Sequence, residues 1–272
     1  MPVSRRPHLL ILGEGYSGRY IRAAAERAGW LVTGTSRTPG DGQIAFDSEN
    51  AEALVAGAEA VLSSVPPAGD DDPVLLRFGD TLKMRTGWTG YLSSTGVYGD
   101  RGGAWVDESA ETGGGRRSAR TEADRAWQAI PGAHVFRLPG IYGPGRSAFD
   151  RLKAGQAKRI DAPGQVFSRV HVEDIAATVL AALTTPKPGI YNIADDMPAP
   201  GEAVIAEAAR MMGIDPPPLI PIEDADLSPM ARGFYAENRR VANGKMKRDL
   251  GLRLRYPDYK RGLAAIFREM DQ

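Results

Sequence analysis

The run His8-Leu9-Leu10-Ile11-Leu12-Gly13-Glu14-Gly15-Tyr16-Ser17-Gly18 decides the fold. The apolar stretch Leu9–Leu12 has no polar alternation, which predicts a short strand covered on both faces. Three glycines at G-x-G-x-x-G spacing follow it. Ile21, Ala24, Ala25 and Ala28 then recur at helical spacing until Gly29. In this strand–turn–helix setting each glycine has a task. Gly13 permits the tight turn, Gly15 lets backbone approach a pyrophosphate, and Gly18 lets the helix pack close to the strand. Tyr16 and Ser17 open the helix, whose free N–H groups and positive dipole end favour a phosphate. Dinucleotide binding is the expectation; a glycine-rich turn without ligand is the plainer alternative.

Outward from this turn, short apolar strands alternate with helices. Strands are expected at Trp30–Thr35, Ile44–Phe46, Ala60–Val65, Trp88–Ser93 and His134–Leu138, and helices at Ala51–Ala58, Pro73–Met84 and Arg120–Ile130. That alternation means βαβ units and a parallel sheet. After Gly145 the pattern changes. Helix stripes run through Ile175–Leu183, Val204–Met212 and Leu263–Met270, with one strand at Ile190–Ile193. The fold class is therefore α/β, a Rossmann-type doubly wound parallel sheet with a smaller α-rich C-terminal substrate lobe. Residues 1–145 plus about 168–195 would form the dinucleotide domain, and about 146–167 plus 196–272 the lobe. The stretch Gly99–Ser118, with Gly113-Gly114-Gly115, reads as a lid or binding loop or as a surface excursion.

The second strand bears on the cofactor. An NAD-preferring site carries an acid there for the ribose 2′-OH. Here the chain reads Gly34-Thr35-Ser36-Arg37, a hydroxyl and a guanidinium without an acid. Arg37 can pair with a 2′-phosphate, so NADP(H) is preferred and NAD(H) possible.

Composition excludes much else. The 272 residues carry 34 basic and 34 acidic side chains, so net charge is zero and a polyanion-binding surface is not expected. No cysteine is present, which removes disulfides, thiolate metal sites and a cysteine nucleophile. The three histidines, His8, His134 and His171, lack ligand spacing, so no metal is expected. There is no G-x-S-x-G elbow, no G-K-[ST] and no 18-residue apolar run. The default is a cytoplasmic protein acting on a small molecule, with no nucleic-acid or membrane partner and an open oligomeric state.

Four further segments resemble the extended and atypical short-chain dehydrogenase/reductases, the epimerase/dehydratase-like group. They are Tyr91–Gly99, ending in V-Y-G; Arg137–Arg146, with I-Y-G-P-G; Val170–Ile175, with H-V-x-D; and Gly189–Ile193. The resemblance implies a nicotinamide cofactor across the strand ends. It implies that Ser63, Ser64, Ser93 and the turn Pro139-Gly140-Ile141-Tyr142 line it, with Asp47 at the adenine.

The chain departs from that group where proton transfer belongs. Ser94 matches the serine or threonine that polarises a substrate oxygen. The Y-x-x-x-K that should follow is replaced, with Arg116 at the tyrosine position, Arg120 at the lysine and Asp124 at a later acid. Arginine stays protonated and cannot act as a base. Tyr142 and Tyr98 are substitute candidates, while Tyr256 to Lys260 lies too near the C-terminus and reads as a chance match. Phe167 stands where nucleotide-sugar enzymes of the group often carry arginine. Arg232, Arg239 and Arg240 could bind an anion or form a solvated face. The expected activity is that of an NAD(P)-dependent oxidoreductase or epimerase-type enzyme with an atypical site; the alternative is a non-catalytic NADP(H)-binding sensor.

Overall fold

The structure, a computed structural model, describes residues 5–115, 118–185 and 187–270. Seven strands form one parallel sheet: β1 (His8–Leu12), β2 (Leu31–Ser36), β3 (Gln43–Ala45), β4 (Ala60–Ser63), β5 (Trp88–Ser94), β6 (Ala133–Leu138) and β7 (Gly189–Asn192). Their order across the sheet is β7-β6-β5-β4-β1-β2-β3. The chain leaves β1 toward one edge and returns through β4 to the other side, so the switch point lies at the C-terminal end of β1. The register pairs Ile11 with Gly34 of β2 and with Leu62 of β4.

The uninterrupted apolar run of β1 is explained by two covered faces. Leu9 and Ile11 pack with Ile21 and Ala25 of α1 (Tyr16–Arg27) and Ile175 and Val179 of α6 (Val172–Thr184). Leu10 and Leu12 pack with Val55 of α2 (Ala51–Gly57), Phe78 of α3 (Pro73–Met84) and Trp127 of α4 (Ser118–Gln128). Burying each such side chain is worth about 1.5–3 kcal/mol. Helix α3 begins with Asp72, whose Oδ1 accepts the Val74 and Leu75 amides while Oδ2 accepts Trp127 Nε1 at 2.8 Å. One cap thus ties α3 to α4.

A second, smaller core joins α5 (Ala148–Lys153), α7 (Gly201–Met212) and α10 (Tyr259–Met270) through Phe149, Ile205, Leu263 and Ile266. The short helix α8 (Pro229–Tyr235) stands beside the cleft described below. In contrast, α9 (Gly244–Leu250) packs Met246 and Leu250 into the main sheet's core, so the C-terminal region is shared between both cores. Short strand pairs escaped the sequence reading because two or three residues carry no periodic signal. Gly140–Tyr142 pairs with Arg169–His171, and Trp105–Val106 with Arg240–Val241.

The second pairing settles the character of the stretch from Gly99. It is neither a free lid nor a loose excursion where described. Arg101 and Gly103 donate to Asn238 O, and Gly113 donates to Val97 O. Among the described residues no helix is long and apolar enough to cross a membrane.

Candidate functional site

A continuous cleft of about 1580 Å³ opens at the switch point and runs to the second lobe. Its near end is the glycine-rich turn. Gly13 has φ +76, and a Cβ there would meet Val65 Cγ2 at 2.5 Å, so only glycine fits. A Cβ on Gly18 would lie 3.4 Å from Ile11 Cγ2, the expected close helix–strand approach. Gly15 faces open space. Helix α1 starts there with no side-chain cap and no acid in its first turn, leaving amides and dipole available to an anion. These properties fit a pyrophosphate.

Glu14, inside the glycine-rich turn, is a residue whose contacts the sequence does not announce. Its carboxylate is 2% exposed and accepts Arg22 Nε and Nη2, each at 2.6 Å, and Gln43 Nε2 at 3.1 Å. Burial pushes its pKa up, but the bonds from Arg22 and Gln43 outweigh that and hold it below the ordinary value. A carboxylate therefore does stand beside Gly34 of β2, yet it is spent on Arg22. Ser36 and exposed Arg37 line the cleft beyond it.

The other expected residues divide into two groups. Tyr16, Ser17, Ser64, Ser93, Ser94, Arg120, Pro139, Gly140, Ile141 and Tyr142 line the cleft. Ser94 ends β5, and its Oγ accepts the Gly96 amide at 3.1 Å, leaving the hydroxyl proton for another acceptor. Ser93 donates to Asp124 Oδ2 at 2.5 Å. Tyr16 donates to Pro144 O at 3.1 Å.

Asp47, Ser63 and Tyr98 are absent from the cleft wall. Asp47 is exposed, and its neighbour Phe46 lines the cleft instead. Ser63 is fully buried, because the strand's side-chain alternation turns it into the sheet while Ser64 faces the opening. Tyr98 is fully buried, donating to Asn192 Oδ1 at 2.7 Å and accepting Arg137 Nη1 at 3.0 Å. Its candidacy for acid–base work is corrected by that burial. Arg116 lies outside the described residues.

Tyr142 is also a poor base. Its hydroxyl is buried without a hydrogen bond, its ring sits tight on Gly262 of α10, and burial and nearby Asp195 drive its pKa upward. Tyr256 donates to Glu173 Oε2 at 3.0 Å, away from the cleft, in keeping with a chance Y-x-x-x-K. His171 stacks on Tyr256 with ring centroids 3.9 Å apart, and burial lowers its pKa to about 4.

Basic groups at the far end differ from those expected. Arg239 is bound to Gly99 O and Glu237, and Arg240 to Gly103 O, so this pair serves the fold. Arg239 lines the cleft as well, but the guanidiniums there that no carboxylate pairs with are Arg151 and Arg169. Among the described residues no cluster of His, Asp or Glu could hold a metal.

A parallel sheet in this order, with a glycine-rich turn at its switch point and a second lobe closing the cleft, is the fold of the epimerase/dehydratase-like short-chain dehydrogenase/reductases. The chain belongs to one family with a functionally unknown conserved protein from Silicibacter pomeroyi: 44% identity, 97% of this chain and 99% of that one covered, TM-score 0.91. The human epimerase family protein SDR39U1 (isoform 2), solved with NADPH, has the same fold at 18% identity and TM-score 0.75, over 96% and 99% of the chains. A 3-diazoavenalumate denitrifying reductase from a Streptomyces species is 26% identical over 89% of this chain and 93% of its own length. No family model matches the chain.

Proposed function

We propose that the protein is an NADP(H)-dependent oxidoreductase that reduces a small substrate held between the strand ends and the second lobe. The observation that carries this reading is the continuity of the cleft. The glycine turn and Arg37 line one end, Ser94 the middle, and α5, α7 and α8 the other. The open space at Gly15, the uncapped start of α1 and the commitment of Glu14 to Arg22 fit an anionic dinucleotide bearing a 2′-phosphate. The human relative solved with NADPH supports that choice.

A bound reduced nicotinamide would supply hydride. Ser94 would donate its hydroxyl proton to the substrate's polar atom and be replenished from water. Reduction needs only a proton donor. Epimerisation through the cofactor needs a base that takes the substrate's hydroxyl proton while the oxidised nicotinamide takes hydride, and that gives the proton back when hydride returns to the other face. The described tyrosines and lysine of the cleft wall are Tyr16, Tyr142, Tyr235 and Lys158. Tyr16 is bonded to Pro144 O and Tyr142 is buried, while Tyr235 and Lys158 belong to the second lobe's end. This inventory favours a reductase, in line with the Streptomyces relative's name.

A dinucleotide sensor would account for the missing tyrosine and lysine. It leaves the far wall without a purpose, since about 1580 Å³ exceeds the ~300–1,000 Å³ of an ordinary small-molecule site. Fluorescence titration with NADPH, followed by NADPH consumption over a panel of aldehydes and ketones, separates the readings. Saturable binding and turnover are expected, with turnover about 10²-fold lower in Ser94→Ala. Tight binding without turnover would point to the sensor, and no binding would sink both.

A further inference from the structure

The far end of the cleft holds two guanidiniums without adequate counter-charge. Arg169, in the strand Arg169–His171, is 9% exposed. Its Nη2 donates to Ala199 O at 3.1 Å, and its Nη1 has no partner. Its guanidinium lies over the Tyr259 ring at 5.4 Å. Arg151 projects from α5 and has no hydrogen bond or ion pair to its side chain among the described residues. Burial lowers the pKa of both, and Arg151 lowers that of Arg169 further, so the two charges feel one another.

The neighbouring carboxylate does not neutralise them. Asp195 is 1% exposed, its Oδ1 accepts the Met197 amide at 3.1 Å, and its Oδ2 has no partner. Burial pushes its pKa up to about 7 against the pull of Arg169. A buried guanidinium with a free Nη1, a second, more exposed guanidinium beside it and a buried carboxyl with one oxygen unpartnered form a costly arrangement that an incoming anion would relieve.

Two aromatic rings stand in the surrounding wall, among polar side chains that include Gln156 and Ser168. Phe167 and Tyr235 meet edge to face with centroids 5.3 Å apart, and Tyr235 neighbours Arg151. Phe167 exchanges backbone hydrogen bonds with Ala199, the residue whose carbonyl holds Arg169. Gly201 lies behind the rings; a Cβ there would sit 3.6 Å from Tyr235 Oη and 3.7 Å from Phe167. Rings beside a guanidinium pair suit a flat apolar body ending in a forked monoanion. A diphosphate sugar instead needs donors and acceptors for many hydroxyls, and the two side chains nearest the guanidinium pair, Phe167 and Tyr235, offer chiefly ring faces and edges.

We propose that the subsite framed by Arg151, Arg169, Phe167 and Tyr235 takes a small aromatic carboxylate, its carboxylate shared by the two guanidiniums and its ring packed on Phe167 and Tyr235. The proposal rests on the reductase reading and names the substrate class of that same cleft.

Calorimetric titration of the full chain, preloaded with NADP⁺, uses 3-phenylpropionate, its carboxamide and UDP-glucose as probes. The carboxylate is expected to bind saturably and the carboxamide about tenfold more weakly or worse. Arg151→Met is expected to weaken phenylpropionate by about tenfold, with the cofactor titration as folding control. Arg169→Met should do the same; if that buried substitution prevents folding, Arg151→Met alone decides. Equal binding of acid and amide, an unaffected Arg151→Met, or preferential binding of UDP-glucose overturns the proposal. If NADP⁺ itself does not bind, the oxidoreductase reading fails separately, and the acid–amide comparison on the cofactor-free chain still decides the subsite.

Discussion

Asp124 of α4 and Arg137 of β6 form a fully buried ion pair beneath the strand that carries Ser94. Nη2 meets Oδ1 at 2.7 Å and Nε meets Oδ2 at 3.1 Å. Ser93 donates to the same Oδ2, and Arg137 reaches on to Tyr98, which holds Asn192 of β7. The pair links three neighbouring strands through side chains alone. Asp124→Ala would leave a buried guanidinium uncompensated, so a loss of about 3–5 kcal/mol is expected. Urea unfolding followed by circular dichroism measures it, and a loss below about 1 kcal/mol would show that the pair is dispensable.

The roles of the first two glycines of the turn separate by substitution. Gly13→Ala must strain φ +76 and displace Val65, so stability should fall by at least about 1–2 kcal/mol. Gly15→Ala meets nothing within 4 Å in the protein, so its melting temperature should stay within a few degrees. Its new methyl would occupy the space proposed for phosphate, and NADPH affinity should drop about tenfold or more. An NADPH titration of Gly15→Ala matching the wild type would remove the phosphate from that place.

Arg37 carries the proposed choice between cofactors. A charge-assisted contact to phosphate is worth about 1.5–3 kcal/mol. Arg37→Ala should therefore weaken NADPH by about 10- to 150-fold while leaving NADH nearly unchanged. Parallel fluorescence titrations read this ratio directly.

Two buried groups give stability opposite pH slopes. Burial holds His171 neutral, with pKa about 4 against an ordinary 6.5. Between those values the unfolded chain binds the proton and the folded one does not, so its contribution is present above pH 6.5 and lost as pH falls toward 4. The amount is on the order of 3 kcal/mol. Asp195 runs the other way. Its pKa rises from 3.8 to about 7, chiefly through burial, so stability is lost as pH rises across that window. His171→Gln should leave a curve that declines from pH 4 to 7, and Asp195→Asn one that climbs. Unfolding free energies measured at intervals across that range would disprove the assignment if both variants kept the wild-type slope.

Much of the scaffold is legible in the sequence. β1, the glycine turn and α1 are contiguous in sequence, so spacing alone reports them. The Gly99–Ser118 stretch was not legible. Its order depends on Asn238 and Arg240, more than a hundred residues away, and on a two-residue strand pair with no periodic signature. Glu14 was missed for a related reason. A variable position between two glycines gives no sign that it will meet Arg22 and Gln43. Asp47 and Ser63 were placed by position in a motif, whereas exposure and strand alternation decided where their side chains went.

The sequence by itself determined the parallel α/β frame, the cofactor turn and the missing tyrosine and lysine, because each is a local pattern. Only the tertiary structure decided which groups face the cleft. It buried Tyr98 and the Tyr142 hydroxyl, engaged Arg239 and Arg240 in the fold, and set Arg151 beside Arg169 at the open end. Burial and charge proximity arise between elements distant in the chain. They appear only when the second lobe closes on the sheet, and they determine which side chains can touch a substrate.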